Sequence, residues 1–295
     1  MLKIQGAFTA IITPFRNGRV DFGALKKIVR FQVGNGISGL VPCGSTGEAA
    51  TLSPEEYLAV IKTVVAAAGG KIPVVPGVGT NSTAKSVEMV KKVSALGVDG
   101  LLAIVPYYNK PTQEGMTAHF SAIAKATRLP IILYNIPGRT GVNMLPATVL
   151  ALRKKFKNIA GIKEASGSLD QVSEIINGAD GEFALMSGDD SLTLPMMSVG
   201  ARGVISVVSN VAPAKASRMC GLFLGGDQPA ATRLHHELFP LIKALFVETN
   251  PIPVKYAASL LGLCKPEPRL PLTPLTEHNR APLKKVLAAA GIRCR

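Results

Sequence analysis

The segment Gly161-Ile162-Lys163-Glu164-Ala165-Ser166 places a lysine at the end of an apolar, branched run. A cation is costly to bury without a partner. Two readings of Lys163 stand. Its stem can lie along a strand while the ammonium reaches water, or it can serve as an amine nucleophile. In the second case an apolar setting disfavours the ammonium and raises the neutral, reactive fraction. Such an amine suits Schiff-base formation with a carbonyl compound. Strand alternation sends Ile162 and Glu164 to the opposite face, so Lys163 has no carboxylate beside it on its own face.

Further polar residues follow other apolar runs. In Cys43-Gly44-Ser45-Thr46-Gly47-Glu48, glycines on both sides of Ser45-Thr46 let the backbone turn tightly and expose N–H groups, a candidate cradle for a carboxylate or phosphate and equally an ordinary turn. It lacks the Gly-Lys-Ser/Thr sequence of a nucleotide-binding loop. Tyr134 lies in an apolar run and is a structural or an acid–base tyrosine. Arg139, in Pro-Gly-Arg-Thr-Gly, is a surface turn residue or a fork for a carboxylate. Tyr107 and Tyr108 end another run. Asp189 and Asp190 are expected to cap a helix before they would hold a metal.

Eight runs must position these groups: 6–15, 39–45, 73–80, 100–108, 130–137, 159–166, 183–190 and 203–210. They are continuously apolar, as in strands buried on both faces of a parallel sheet. Helical patterns separate them, including 53–68, where Ser53, Pro54 and Glu56 spell a capping box. The spacing predicts a (β/α)8 TIM barrel over residues 1–225, with a C-terminal helical extension over 226–295. In this fold, catalytic groups gather at the carboxyl ends of the strands. An open doubly wound sheet would favour a glycine-rich turn after the first strand, and Thr-Pro-Phe-Arg-Asn-Gly is not one.

Composition narrows the function. Lys and Arg number 33 against 19 Asp and Glu, a net charge of +14, yet they are scattered, and aromatics are 5% with no Trp. That favours solvated helix faces with some attraction for anionic substrates over a nucleic-acid partner. No apolar stretch is long enough to span a bilayer, and the first residues read as a strand, so a cytoplasmic protein is expected. Four scattered cysteines and an adjacent His235-His236 pair give no metal-ligand spacing.

In this order, "CGSTGEAATLS", "YYNKPTQEG", "LYNIPGRTG", "GIKEASG", "SGDD", "GVISVVSNVAP" and "NPIPVKYAASLLGL" closely resemble the dihydrodipicolinate synthase family, over nearly the whole chain. The lysine motif and the "GSTGE" turn mark the wider superfamily of pyruvate-dependent lyases, which includes N-acetylneuraminate lyase; the arginine of "YNIPGRTG" is the more specific sign. Ser45 stands where many members have threonine, which keeps the hydroxyl.

The resemblance implies that Lys163 forms a Schiff base with pyruvate, with no other cofactor and no metal. The resulting enamine would add to L-aspartate 4-semialdehyde, on the route through diaminopimelate to lysine. Tyr134 would be the proton donor and acceptor, and Ser45 and Tyr108 would extend its relay, Tyr108 reaching in from a neighbouring subunit of a homotetramer, a dimer of dimers. Thr46 and the backbone of Ile205 would hold pyruvate, and Arg139 the carboxylate of the semialdehyde. Lysine-sensitive members carry a histidine and a glutamate where this chain has Tyr57 and Lys85, while Asn81 and Tyr107 remain, so weak or absent feedback by lysine is expected. A sister lyase with another aldehyde and a non-enzymatic polyanion-binding barrel are the competing readings.

Overall fold

The computed structural model describes residues 2–294, and their order of elements is the TIM-barrel class: eight parallel strands alternating with helices, then C-terminal helices. The strands are β1 (Gly6–Ala10), β4 (Gly39–Val41), β5 (Gly77–Val78), β6 (Leu101–Ile104), β7 (Ile131–Asn135), β8 (Ile159–Glu164), β9 (Ala184–Ser187) and β10 (Gly203–Ser206); β2 (Phe15–Arg16) and β3 (Arg19–Val20) form a separate antiparallel hairpin. The chain divides into two compact units, one comprising Val75–Ile205 with the first five residues, the other Gly6–Val74 and Ser206–Arg295.

In the unit Val75–Ile205, strands run in the order β10-β9-β8-β7-β6-β5, all parallel. The branched residues expected to be sheet core are buried, among them Leu101, Leu102, Ile131, Ile132, Leu133 and Ile162. Polar N-caps start the helices that follow: Ser82 accepts from Lys85 N, Thr112 from Gly115 N and Ser168 from Gln171 N, each satisfying a donor that the first helical turn leaves over. The run 73–80 forms far less strand than its composition suggests. Pro73 and Pro76 have no N–H to give a ladder; they contribute carbonyls only, to Leu40 N and Leu102 N.

In the other unit β1 pairs with β4, Phe8 opposite Gly39. The helix Pro54–Ala68 opens with the expected capping box, Ser53 Oγ accepting from Glu56 N and the Glu56 carboxylate from Ser53 N. The hairpin β2–β3 is a feature the run-by-run reading missed, although Asn17-Gly18, both at positive φ (50° and 71°), is the expected dipeptide for such a turn. Pro213–Leu224, Gln228–Ala244, Ile252–Leu260 and Glu277–Ala289 are the helices foreseen at the C-terminal end. Among the described residues no helix is long and apolar enough to cross a membrane.

Candidate active site

Parallel pairing of β7 and β8 sets Tyr134 opposite Lys163 and Asn135 opposite Glu164. Because side chains alternate, the first pair shares one face and the second the other. Lys163 and Tyr134 are each 5% exposed, and the Lys163 ammonium sits 4.1 Å from the centre of the Tyr134 ring. A ring face attracts a cation at this range, most strongly where water is excluded. The apolar strand thus holds its lysine against an aromatic phenol, with no carboxylate in salt-bridge contact among the described residues.

Gly161 explains part of that placement. A Cβ there would lie 2.4 Å from the carbonyl oxygen of Ala184, its partner on β9. Glycine lets β8 approach β9 two residues ahead of the lysine. Past the end of β9, Asp189 occupies the N-cap position of a short 3-10 turn, but its side chain makes no capping hydrogen bond, contrary to the capping role expected of it. Its carboxyl senses Lys163 instead. Burial raises its proton affinity, and the Lys163 charge opposes that rise. Ile205 lies in β10, 1% exposed.

The face of β7 and β8 behind the pair carries a buried polar network. Glu164 accepts from Ser166 N (2.7 Å), Gln171 Nε2 (3.0 Å) and Asn135 Nδ2 (3.1 Å). Burial pushes its carboxyl up, and these donors pull the other way. Asn135 Oδ1 accepts from Met144 N at 2.9 Å, and Asn143 donates to Gln171 Oε1 at 2.8 Å. The loop after β7 is therefore fixed from behind. Alternation signalled that Glu164 faces away from Lys163; nothing in the spacing signalled its amide partners.

Arg139 lies in the four-residue helix Pro137–Thr140 that follows β7, and it is exposed. That turn meets the segment after β6 through Tyr108 N, which donates to Thr140 O at 3.3 Å. Tyr108 has φ of 74° and is 87% exposed, whereas Tyr107 is 37% exposed. A bulky residue in the left-handed region is strained, and here it carries an aromatic ring that is largely exposed.

Ser45 and Thr46 belong to the unit that contains β1 and β4. Cys43 and Glu48 both have positive φ (56° and 52°) and bracket the turn. Gly47 is tightly enclosed, since a Cβ would lie 3.0 Å from Cys43 N and 3.2 Å from Ile11 O. The amides of Gly47, Glu48 and Ala49 bond to Gly44 O, Ser45 O and Gly44 O within the turn. This part of the loop is not the open amide cradle expected, since its amides are taken up within the turn. Thr46 is buried, and its hydroxyl accepts from Asn250 Nδ2 at 2.9 Å. Asn250 escaped the sequence reading because no local pattern links residues so far apart.

Among the described residues no three His, Cys, Asp or Glu side chains are grouped to hold a metal ion.

The chain is 51% identical over 291 residues to the 4-hydroxy-tetrahydrodipicolinate synthase of Nitratidesulfovibrio vulgaris strain DP4, covering 99% of this chain and all of the relative. The chloride-inhibited dihydrodipicolinate synthase of Acinetobacter baumannii, solved in complex with pyruvate, matches at a TM-score of 0.96 and 44% identity, over 99% of this chain and 100% of that one. The dihydrodipicolinate synthase of Cyanidioschyzon merolae, solved with lysine bound, matches at a TM-score of 0.95 and 44% identity, over 98% and 99% of the two chains. The family model for dihydrodipicolinate synthetases matches residues 3–290, and with the buried strand lysine, the register-paired tyrosine and the barrel order of elements it shows that this chain belongs to the dihydrodipicolinate synthetase family.

Proposed function

We propose that the protein condenses pyruvate with L-aspartate 4-semialdehyde to give 4-hydroxy-tetrahydrodipicolinate, with Lys163 as the Schiff-base nucleophile. The observation that carries this reading is the buried Lys163 ammonium held over the Tyr134 ring by strand register. The pyruvate bound in the Acinetobacter baumannii relative supports the first substrate.

The Lys163 amine attacks the ketone carbon of pyruvate, and loss of water leaves a protonated imine. Removal of a methyl proton gives the enamine, which needs no metal to stabilise the carbanion because the imine nitrogen accepts the electron pair. The methylene carbon then bonds to the aldehyde carbon of the semialdehyde, whose oxygen takes up a proton. Finally the amino group of the second substrate attacks the imine carbon, closes the ring and expels the Lys163 amine.

Tyr134 is the proton carrier in this scheme, its phenol belonging to the residue that packs against the lysine. Ser45 and Tyr108 are assigned to its relay by resemblance, Thr46 and the Ile205 backbone to pyruvate, and Arg139 to the semialdehyde carboxylate, where a planar guanidinium can accept a carboxylate in two hydrogen bonds. The exposure and strained backbone of Tyr108 support its insertion into a second copy within a homotetramer. In this assignment residues 1–225 carry the chemistry and 226–295 form the extension, and the enzyme works in the cytoplasm.

Weak or absent inhibition by L-lysine is part of the same reading. In the positions of the family's regulatory histidine and glutamate stand Tyr57, buried with its phenol pushed well up by desolvation, and the exposed Lys85. A cation where a ligand ammonium would need a carboxylate repels it by about 1 kcal/mol in water and about 4 kcal/mol near a protein surface, at about 4 Å.

The decisive experiment is borohydride reduction in the presence of pyruvate, followed by peptide mapping. One reduced pyruvate per chain at Lys163, with loss of activity, is expected. An adduct elsewhere, or full activity in Lys163→Ala, would overturn the mechanism. Assaying condensation of pyruvate with the semialdehyde against cleavage of N-acetylneuraminate separates this enzyme from its sister lyase.

A further inference from the structure

The last third of the unit containing Thr46 is bound to the "GSTGE" turn at several points. Asn250 Nδ2 donates to Thr46 Oγ1 at 2.9 Å, with both side chains buried. Two residues further along the turn, Glu48 forms a fully buried ion pair with Lys255 and accepts from Arg269 N at 2.9 Å. The Arg269 guanidinium bonds to Thr51 O at 2.8 Å and to both Glu56 oxygens at 2.6 Å. Lys255 and Arg269 also lie over the Phe15 ring, 4.1 and 4.3 Å from its centre. Thr13 Oγ1 donates to Gly47 O at 2.7 Å from β1's side.

Most of these contacts fix the backbone of the turn. The contact from Asn250 does something different. A hydroxyl has one proton to give and two lone pairs to receive. Where an amide N–H occupies a lone pair of Thr46, the hydroxyl keeps its own proton for another acceptor. An anion beside Thr46 would then meet a donor that is already oriented, with no competing acceptor from Asn250.

We infer that Asn250 is a positioning residue that sets the polarity of the Thr46 hydroxyl, turning its proton toward the carboxylate of the keto-acid substrate. The inference rests on the assignment of Thr46 to pyruvate made above. It gives part of the C-terminal segment a role in substrate recognition, with the Glu48–Lys255 pair holding the turn at the right height for that hydrogen bond.

The test compares Asn250→Asp, Asn250→Ala, Thr46→Val and the double variant Thr46→Val/Asn250→Ala. Each is measured for the Michaelis constants of both substrates, for kcat, and for the pyruvate concentration that half-saturates borohydride trapping. Trapping reads only molecules folded well enough to bind, so lost stability does not masquerade as weak affinity. Asn250→Asp replaces the donor by an acceptor and adds a negative charge. It should raise the pyruvate KM and the trapping midpoint by about ten- to a hundredfold, the worth of a hydrogen bond to a charged group. The semialdehyde KM should stay within about threefold and kcat should change far less than the pyruvate KM. Asn250→Ala should show a smaller rise of the same kind, and should add nothing in the Thr46→Val background.

If Thr46→Val weakens pyruvate while both Asn250 variants bind it normally, the inference is wrong and the Thr46 assignment stands. Full additivity in the double variant would also overturn it, because Asn250 would then act by another route. If Thr46→Val itself leaves pyruvate binding unchanged, the Thr46 assignment fails and the inference with it.

Discussion

His119 gives the molecule a specific sensitivity to acid. It lies in the helix Gln113–Lys125, is 4% exposed, and its Nδ1 shares a 2.9 Å hydrogen bond with Thr83 Oγ1 at the start of the helix Thr83–Ser94. Its Nε2 is buried without a hydrogen-bond partner among the described residues, and the ring packs edge-on against Phe120. Protonation would place a second, unpaired N–H and a full charge among apolar groups. Desolvation accordingly lowers its pKa from 6.5 to about 4. One pH unit of displacement corresponds to about 1.4 kcal/mol, so the drop is worth at most about 3 kcal/mol. Screening by nearby solvent reduces the working figure to about 2 kcal/mol.

The sign follows from linkage. Above the unfolded value near 6.5, His119 is neutral in both states and its contribution is intact. As pH falls toward 4 the unfolded chain takes up a proton that the folded chain refuses, and stability is lost over that window. His119→Gln removes this titration. Melting temperatures of wild type and variant should therefore converge, or cross in the variant's favour, between pH 7 and pH 4.5. The relative change should be about 2 kcal/mol, or roughly 3 °C in a chain of this size. A difference between the two proteins that stays constant across that range would refute the account of His119 as a buried neutral ring.

Four other outcomes follow from the geometry. Tyr134→Phe should keep the fold, measured by circular dichroism, and lower turnover by about 10²–10⁴-fold, the usual worth of a positioned acid–base group; near-normal turnover would remove Tyr134 from the chemistry. Gly161→Ala should force β8 from β9, because its new methyl meets a backbone oxygen rather than a yielding side chain; a loss of about 1–3 kcal/mol in urea unfolding and slower adduct formation at Lys163 are expected. Lys255→Ala should destabilise by about 3–5 kcal/mol, since it strands the buried Glu48 carboxylate, and the double variant Lys255→Met/Glu48→Gln should recover much of that loss in the same unfolding assay. Initial rates against added L-lysine should show half-inhibition only above about 1 mM, and tighter inhibition, a binding free energy beyond about −4 kcal/mol, would contradict the role given to Lys85.

The sequence alone determined the features that depend on neighbours along the chain. Continuous apolar runs without alternation specified buried parallel strands. Ser53, Pro54 and Glu56 specified a helix start, because capping reaches only three residues. The single period of a strand specified that Lys163 and Glu164 point to opposite faces, as the buried amide network around Glu164 shows. Local rules also misled where a longer context prevailed. Asp189, placed where a cap is expected, leaves its carboxyl within reach of the Lys163 field.

The tertiary structure decided whatever depends on register and on partners distant in sequence. Slipping β7 against β8 by one residue would place Asn135, not Tyr134, opposite Lys163; both registers are equally compatible with the apolar pattern of either strand read separately. Asn250 and Thr46 are 204 positions apart, and Lys255 and Glu48 are 207 apart. Nothing in either local sequence names the other member, because a hydrogen bond or ion pair is specified by proximity in space, and only folding brings these residues together. The burial of His119 is of the same kind: a histidine at a helical position is exposed or buried according to which neighbouring helix covers it, and here the helix beginning at Thr83 does so.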